Sequence, residues 1–438
     1  MQKTKKPNIL IIVCDQLAQR AVGAYGSAEG WTPNIDSIAA RGVVFSNAYT
    51  PFPLCIPARA SFWTGRYPHE TGVVSNTYDQ EVPAAMPALG TVLADAGYEC
   101  VHYGKRHDCG ALKGFRIGEL GASPVEATPP WTAYYDSQED RFTVDQVVEF
   151  LGADHSNPFC VVADLNNPHD ICLWIGDHAG VHADEPLAGR LPDLPGNFEI
   201  TDRENLPAAI RENVQFNTRI GETEGWTPDN FRHYLAAYGY YTRLADADVG
   251  RILATLHGRH DAEDTLIFLL ADHGEGMASH KMVTKGGHFY EEAVRVPFIA
   301  GGWGIAAPGR VIEGPPTSLI DLVPTVCDML GVAAPDGLPG LSLAPALRNE
   351  ALAPDREYVV SRWADEGKGA TAVRMLRTGR HKYIYYADER VELLYDLDHD
   401  PGEMRNLAVL PEYGDILVRH RALLKQYCRD THDTFPAI

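Results

Sequence analysis

Pro7-Asn8-Ile9-Leu10-Ile11-Ile12-Val13-Cys14-Asp15-Gln16 is apolar at every position from Ile9 to Cys14, then turns abruptly polar. A strand with one wet face alternates between apolar and polar residues, whereas one covered on both faces does not. This run therefore predicts a strand inside a parallel sheet. Similar runs at 99–103, 159–165, 265–271 and 296–300 predict its neighbours. Between them, Leu235, Tyr238, Tyr241, Leu244, Val249, Ile252 and Leu256 recur every three to five residues, the period of one long amphipathic helix. Strands alternating with helices predict the α/β class, with a large, mostly parallel sheet flanked by helices. A helical pattern returns at 315–330. The segment 171–228 is rich in Pro, Gly, Asp and Glu, which predicts an excursion over one face of the sheet. Beyond about residue 351 the pattern becomes strand-like at 358–363, 371–376 and 382–386 and ends in a helix from about 411. The expected division is an α/β domain over 1–350 and a C-terminal antiparallel subdomain with a helix over 351–438.

The 438 residues include 59 acidic and 38 basic side chains, a formal charge of −21. Such a chain repels DNA, and no Lys/Arg run offsets that, so nucleic acid is excluded as a partner. Eight cysteines show no paired metal spacing and are expected as reduced, mostly buried thiols. The basic start and the short apolar run at 9–13 suit neither a secretion signal nor a membrane span. The expectation is a cytoplasmic protein without membrane association, or a periplasmic one if an export signal has been removed.

Ligand sites in open α/β sheets lie beyond the carboxyl ends of strands. Four predicted strands deliver polar residues there: Asp15-Gln16, Gly104-Lys105-Arg106-His107, Asn166-Asn167-Pro168-His169-Asp170 and Asp272-His273-Gly274-Glu275. Asp15, Gln16, Asp272 and His273 offer two carboxylates, an amide oxygen and an imidazole. This donor set suits one hard divalent cation, Ca²⁺ first, with Mg²⁺ or Mn²⁺ as alternatives.

Cys55-Ile56-Pro57-Ala58-Arg59, with Thr64-Gly65-Arg66 downstream, carries the most specific signal. This Cys-x-Pro-x-Arg core resembles the signature of the type I, formylglycine-dependent sulfatases of the alkaline phosphatase-like superfamily. The likeness runs along essentially the whole chain. It includes Pro7-Asn8-Ile9, Thr32-Pro33-Asn34-Ile35-Asp36, Gly42-Val43-Val44-Phe45, Asp272-His273-Gly274, Lys382-Tyr383, Leu394-Tyr395-Asp396-Leu397 and Asp400-Pro401. The Gln16 and His273 choices look like those of choline sulfatases, phosphonate monoester hydrolases and some bacterial glycan sulfatases.

The resemblance implies that a formylglycine-generating enzyme oxidises Cys55 to 3-oxoalanine. One hydroxyl of the hydrated aldehyde would attack sulfur and the other would expel sulfate. Position 55 would also face the metal. Arg59 would brace the same group, Lys105 and Lys285 would hold sulfate oxygens, and His107 would act as base in the elimination. His169 would protonate the leaving alcohol. Gly286-Gly287-His288 carries one residue more than the commonest family spacing, which adds His288 as a substrate contact.

The implied substrate is an organic sulfate ester, and a sulfated sugar or oligosaccharide is favoured. Trp174, His178, His182, Arg190, Arg362 and Trp363 are candidates for stacking and hydroxyl contacts. No local set of three aromatics suggests a cage for choline. The alternatives are a phosphonate monoester or phosphodiester hydrolase, a choline sulfatase, or an inactive sulfatase-like binding protein in which Cys55 stays unmodified. A homo-oligomer is left open.

Overall fold

A computed structural model describes residues 6–119, 138–177, 191–199, 203–211, 223–350, 355–363 and 372–438. Its strands are β1 (Asn8–Cys14), β2 (Gly42–Phe45), β3 (Ala48–Tyr49), β4 (Glu99–Gly104), β5 (Arg116–Ile117), β6 (Phe159–Leu165) and β7 (Thr265–Leu270). They continue with β8 (Phe298–Gly302), β9 (Arg310–Ile312), β10 (Thr317–Ser318), β11 (Tyr358–Trp363), β12 (Val373–Thr378), β13 (His381–Tyr386) and β14 (Val391–Asp396). The main sheet has eight strands in the order β5-β4-β6-β1-β7-β8-β2-β9. Strands β5, β4, β6, β1 and β7 run parallel, while β8 runs antiparallel to both β7 and β2.

β1 sits between β6 and β7, and every one of its residues is buried. That placement explains its unbroken apolar run, since helices cover both faces of a doubly wound sheet. The long helix Pro228–His257 begins with Thr227 accepting a bond from Asn230 N, and proline occupies its first turn. Its inner stripe buries Tyr234, Leu235, Tyr238, Tyr241, Val249 and Ile252.

All ten residues of the helix Cys55–Thr64 are buried. It ends at Gly65, whose φ of 69° lies in the left-handed region, and a Cβ there would come within 3.2 Å of Leu338 and Val323. The Thr-Gly-Arg tail of the motif is thus a helix stop under close packing.

Strands β11 to β14 form a separate antiparallel sheet. The helix Gly414–Asp430 closes over it with Leu417, Leu423, Leu424 and Tyr427 buried. The piece expected at 371–376 lies at Val373–Thr378. The stretch expected to be helical over 315–330 opens instead with β10 and a 3₁₀ turn before the helix Leu322–Leu330. The excursion contains the helices Ile171–Asp177 and Ala208–Arg211, while His178, His182 and Arg190 lie outside the described residues. All eight cysteines are free thiols, seven of them buried. Among the described residues no helix is long and apolar enough to cross a membrane.

Candidate active site

The carboxyl ends of β1, β4, β6 and β7 converge on the start of the helix Cys55–Thr64. Cys55 is its first residue, and the next backbone N–H, that of Ile56, donates to Asn76 Oδ1 at 2.9 Å. A helix start presents partial positive charge, which favours an anion at this position. Arg59, one turn later on the same face, donates from Nε to Asp272 Oδ2 at 2.9 Å, from Nη1 to both Asp164 oxygens at 2.6 Å, and from Nη2 to Asp15 Oδ2 at 3.0 Å. Asp164 also lies 3.2 Å from His102 Nε2. These two braces come from inward positions of β6 and β4 and have no motif signal beyond their place in buried strands.

Asp15, Cys55, Asp272 and His273 are all buried, and each offers one ligand atom within 4.8 Å of the others. His273 Nε2 is 3.2 Å from Cys55 Sγ, and its Nδ1 faces Gly274 O at 3.0 Å. The two carboxylates work against each other. Burial and the Asp15 charge push Asp272 up, despite His273 and Arg59. Asp15 goes the other way: burial alone would raise it, but Lys105, His169, Arg59 and His273 hold it well below the usual carboxylate range. Two desolvated carboxylates beside one imidazole fit a hard divalent cation, which would offset their mutual repulsion.

Gln16 sits at the same strand end with a left-handed φ of 66°. Its backbone N–H donates to Asp272 Oδ1 at 3.1 Å. Its side-chain oxygen accepts from Lys285 Nζ, and its amide nitrogen donates to Glu275. Glu275, fully buried, also accepts from Tyr234 OH and Thr284 N. Glu275 therefore fixes which end of the Gln16 amide faces Lys285. It stands two residues beyond His273, in the polar strand-end run Asp272-His273-Gly274-Glu275, which names it without giving it a role.

Lys105 Nζ lies 2.7 Å from Asp15 Oδ2 and donates to Asn166 Oδ1 at 3.0 Å. Burial pulls Lys105 down, but Asp15 and Cys55 outweigh it, so the side chain stays cationic. Lys285 is likewise raised, against burial, by Cys172, Cys55 and Asp15. Burial and Asp15 push the Cys55 thiol up, yet Lys285, His273 and Lys105 bring it well below its ordinary value. The centre of the site thus favours negative charge at position 55 and beside it.

His169 follows the cis Asn167-Pro168 bond and is hydrogen-bonded to Cys55. Burial, Lys105 and Lys285 lower it to about 4. Its loop is pinned from below, because Asp140 accepts from Asn166 N at 2.5 Å and Asn167 N at 2.7 Å. His107 is half-buried, its Nδ1 without a hydrogen-bond partner among the described residues, and its ring contact is with Tyr78.

The other expected substrate contacts lie in packed surroundings. Trp174 is buried edge-on against Trp226, and Trp363 is buried against Phe52. Arg362 is also buried, as is His288, which burial, His280 and Lys382 lower to about 3.

The sulfatase family model matches residues 7–332, and a model described as the N-sulphoglucosamine sulphohydrolase C-terminal region matches 280–430. The chain belongs to the sulfatase family and is an enzyme that hydrolyses sulfate esters. It is 42% identical to a Δ4,5-hexuronate-2-O-sulfatase of Bacteroides thetaiotaomicron, over 100% of this chain and 92% of that protein. A solved structure described as a 2-O GAG sulfatase superposes with TM-score 0.93 at 43% identity, covering 98% of this chain and 93% of the other. The phosphonate monoester hydrolase of Agrobacterium radiobacter superposes with TM-score 0.81 at 25% identity, covering 97% and 96%. The family implies a metal ion and a formylglycine, and the buried Asp15, Cys55, Asp272 and His273 group could hold the metal.

Proposed function

We propose that this enzyme removes the 2-O-sulfate from a sulfated hexuronate at the end of a short glycan. The observation that carries the reading is the full-length 42% identity to a hexuronate 2-O-sulfatase, joined to a site in which Cys55, Lys105, His169 and Lys285 converge. Asp15, Gln16, Asp272 and His273 would hold Ca²⁺ with position 55. The ion would supply Lewis-acid polarisation of the sulfate and charge stabilisation in the transition state. Oxidation of Cys55 by a formylglycine-generating enzyme supplies the aldehyde, whose hydrate offers one hydroxyl to take up the sulfuryl group and another to release it.

The remaining roles belong to unmodified side chains. Lys105 and Lys285, both held cationic beside position 55, bind sulfate oxygens. Arg59 keeps Asp15 and Asp272 in register. His169 gives a proton to the bridging oxygen, which a sugar alkoxide needs because it is a poor leaving group. Its low proton affinity in the free protein comes from burial and two cations, and an incoming sulfate anion counters those cations. His107 takes the proton when sulfate is expelled.

The test is sulfate release from an unsaturated hexuronate-2-sulfate disaccharide, a glucosamine-6-sulfate and a phosphonate monoester, compared as kcat/KM. The 2-O-sulfated uronate should lead by at least about a hundredfold, the size expected when a site is built to bond particular substituents. Equal rates on the two sugars would contradict the positional assignment. A faster phosphonate reaction would replace the sulfate reading altogether.

A further inference from the structure

Tyr78 is 70% exposed, with its ring edge-on to His107 at a centroid distance of 5.9 Å and an angle of 81°. Isolated exposed aromatics need no explanation on most surfaces. This one stands on a loop braced by its own side chains. Gln80 accepts from Val74 N at 2.6 Å and donates to Thr77 Oγ1 at 3.1 Å, and Ser75 and Thr77 share a hydroxyl contact of 2.6 Å.

Two further bonds tie the loop to the chemistry. Asn76 accepts from Ile56 N, beside the nucleophile position, and Cys109, two residues beyond His107, donates to Thr77 O at 3.6 Å. Burial and Cys109 push the Tyr78 hydroxyl up, Lys105 pulls against them, and Cys55 adds to the rise, so the ring lies within the field of the site. The fold therefore presents an aromatic ring to water, on a loop braced at its neighbouring residues, next to His107.

An in-line attack from position 55 sends the leaving oxygen out on the opposite side of sulfur, toward the mouth. The sugar ring must lie there. We propose that Tyr78 is a specificity residue whose ring face stacks on the C–H face of the departing sugar, while Lys105 and Lys285 hold its sulfate. A rigid aromatic offers contact area at little cost in ordering, which suits an apolar sugar face flanked by hydroxyls. This assignment rests on the sulfated-sugar reading above.

Steady-state kinetics of the metal-loaded, formylglycine-containing enzyme on a sulfated hexuronate disaccharide test it, with inorganic sulfate as an inhibitor that reports the sulfate pocket alone. Tyr78→Ala should raise KM by about three- to tenfold with kcat within about twofold, and leave sulfate inhibition unchanged. Tyr78→Phe and Tyr78→Trp should restore KM, because the ring face is kept. An unchanged KM in Tyr78→Ala overturns the stacking role. So does a parallel loss of sulfate inhibition, which would mean a disturbed pocket, and so does failure of Phe to restore binding, which would assign the contact to the hydroxyl. A wild-type enzyme that cleaves aryl sulfate but no sulfated sugar would sink the substrate reading and the stacking with it, whereas a normal Tyr78→Ala beside an active wild type would sink the stacking alone.

Discussion

Arg59 Nη1 meets both carboxylate oxygens of Asp164 at 2.6 Å, and neither side chain reaches solvent. The rest of the guanidinium is committed to Asp15 and Asp272, so Arg59 holds three acidic groups together.

Arg59→Met should therefore destabilise folding by about 3–5 kcal/mol, since it strands buried carboxylates without their cation. Arg59→Lys should recover little, because a point charge cannot bond three carboxylates from one planar fork. Denaturant unfolding of the three proteins checks this, and a lysine variant as stable as wild type would contradict the bracing role.

Removing divalent metal should lower the melting temperature and abolish turnover, with both restored by Ca²⁺. A ligand bound only by the folded state stabilises it by about 2.7 kcal/mol at a hundredfold excess over Kd. Asp272→Asn should show no Ca²⁺-dependent rise in melting temperature. A wild-type melting curve indifferent to both chelator and Ca²⁺ would count against the metal site.

His169→Ala should lose about 10²–10⁴-fold in turnover of a sulfated sugar and far less with nitrophenyl sulfate, whose leaving group needs no proton. Competition between the two substrates, with metal content checked, measures the difference directly. Equal losses would make His169 a binding residue.

The central sheet was legible because its strands carry an unmixed signal. β1, β6 and β7 are apolar at nearly every position since they are covered on both faces, and the polar break after each one marks the catalytic edge. β2 and β14 were not separated as strands from pattern alone, since β2 has four residues and β14 carries Glu392 among its apolar positions. The residues proposed to carry chemistry were read from motif spacing. Those that hold them, Asp164, His102, Asp140 and Glu275, were not, because a buried acid shows its purpose only through distant partners such as Arg59, the Asn166 backbone or the Gln16 amide. Tyr78 escaped for the opposite reason: a single exposed aromatic in a polar loop has no pattern at all.

The most direct measurement is peptide mass spectrometry across residue 55 on enzyme co-expressed with a formylglycine-generating enzyme, alongside its sulfatase activity. The Cys55 sulfur should be replaced by a carbonyl oxygen, turnover should rise in proportion to the modified fraction, and Cys55→Ala should be folded but inactive. Full sulfatase activity in protein whose Cys55 is entirely unmodified would contradict the formylglycine mechanism.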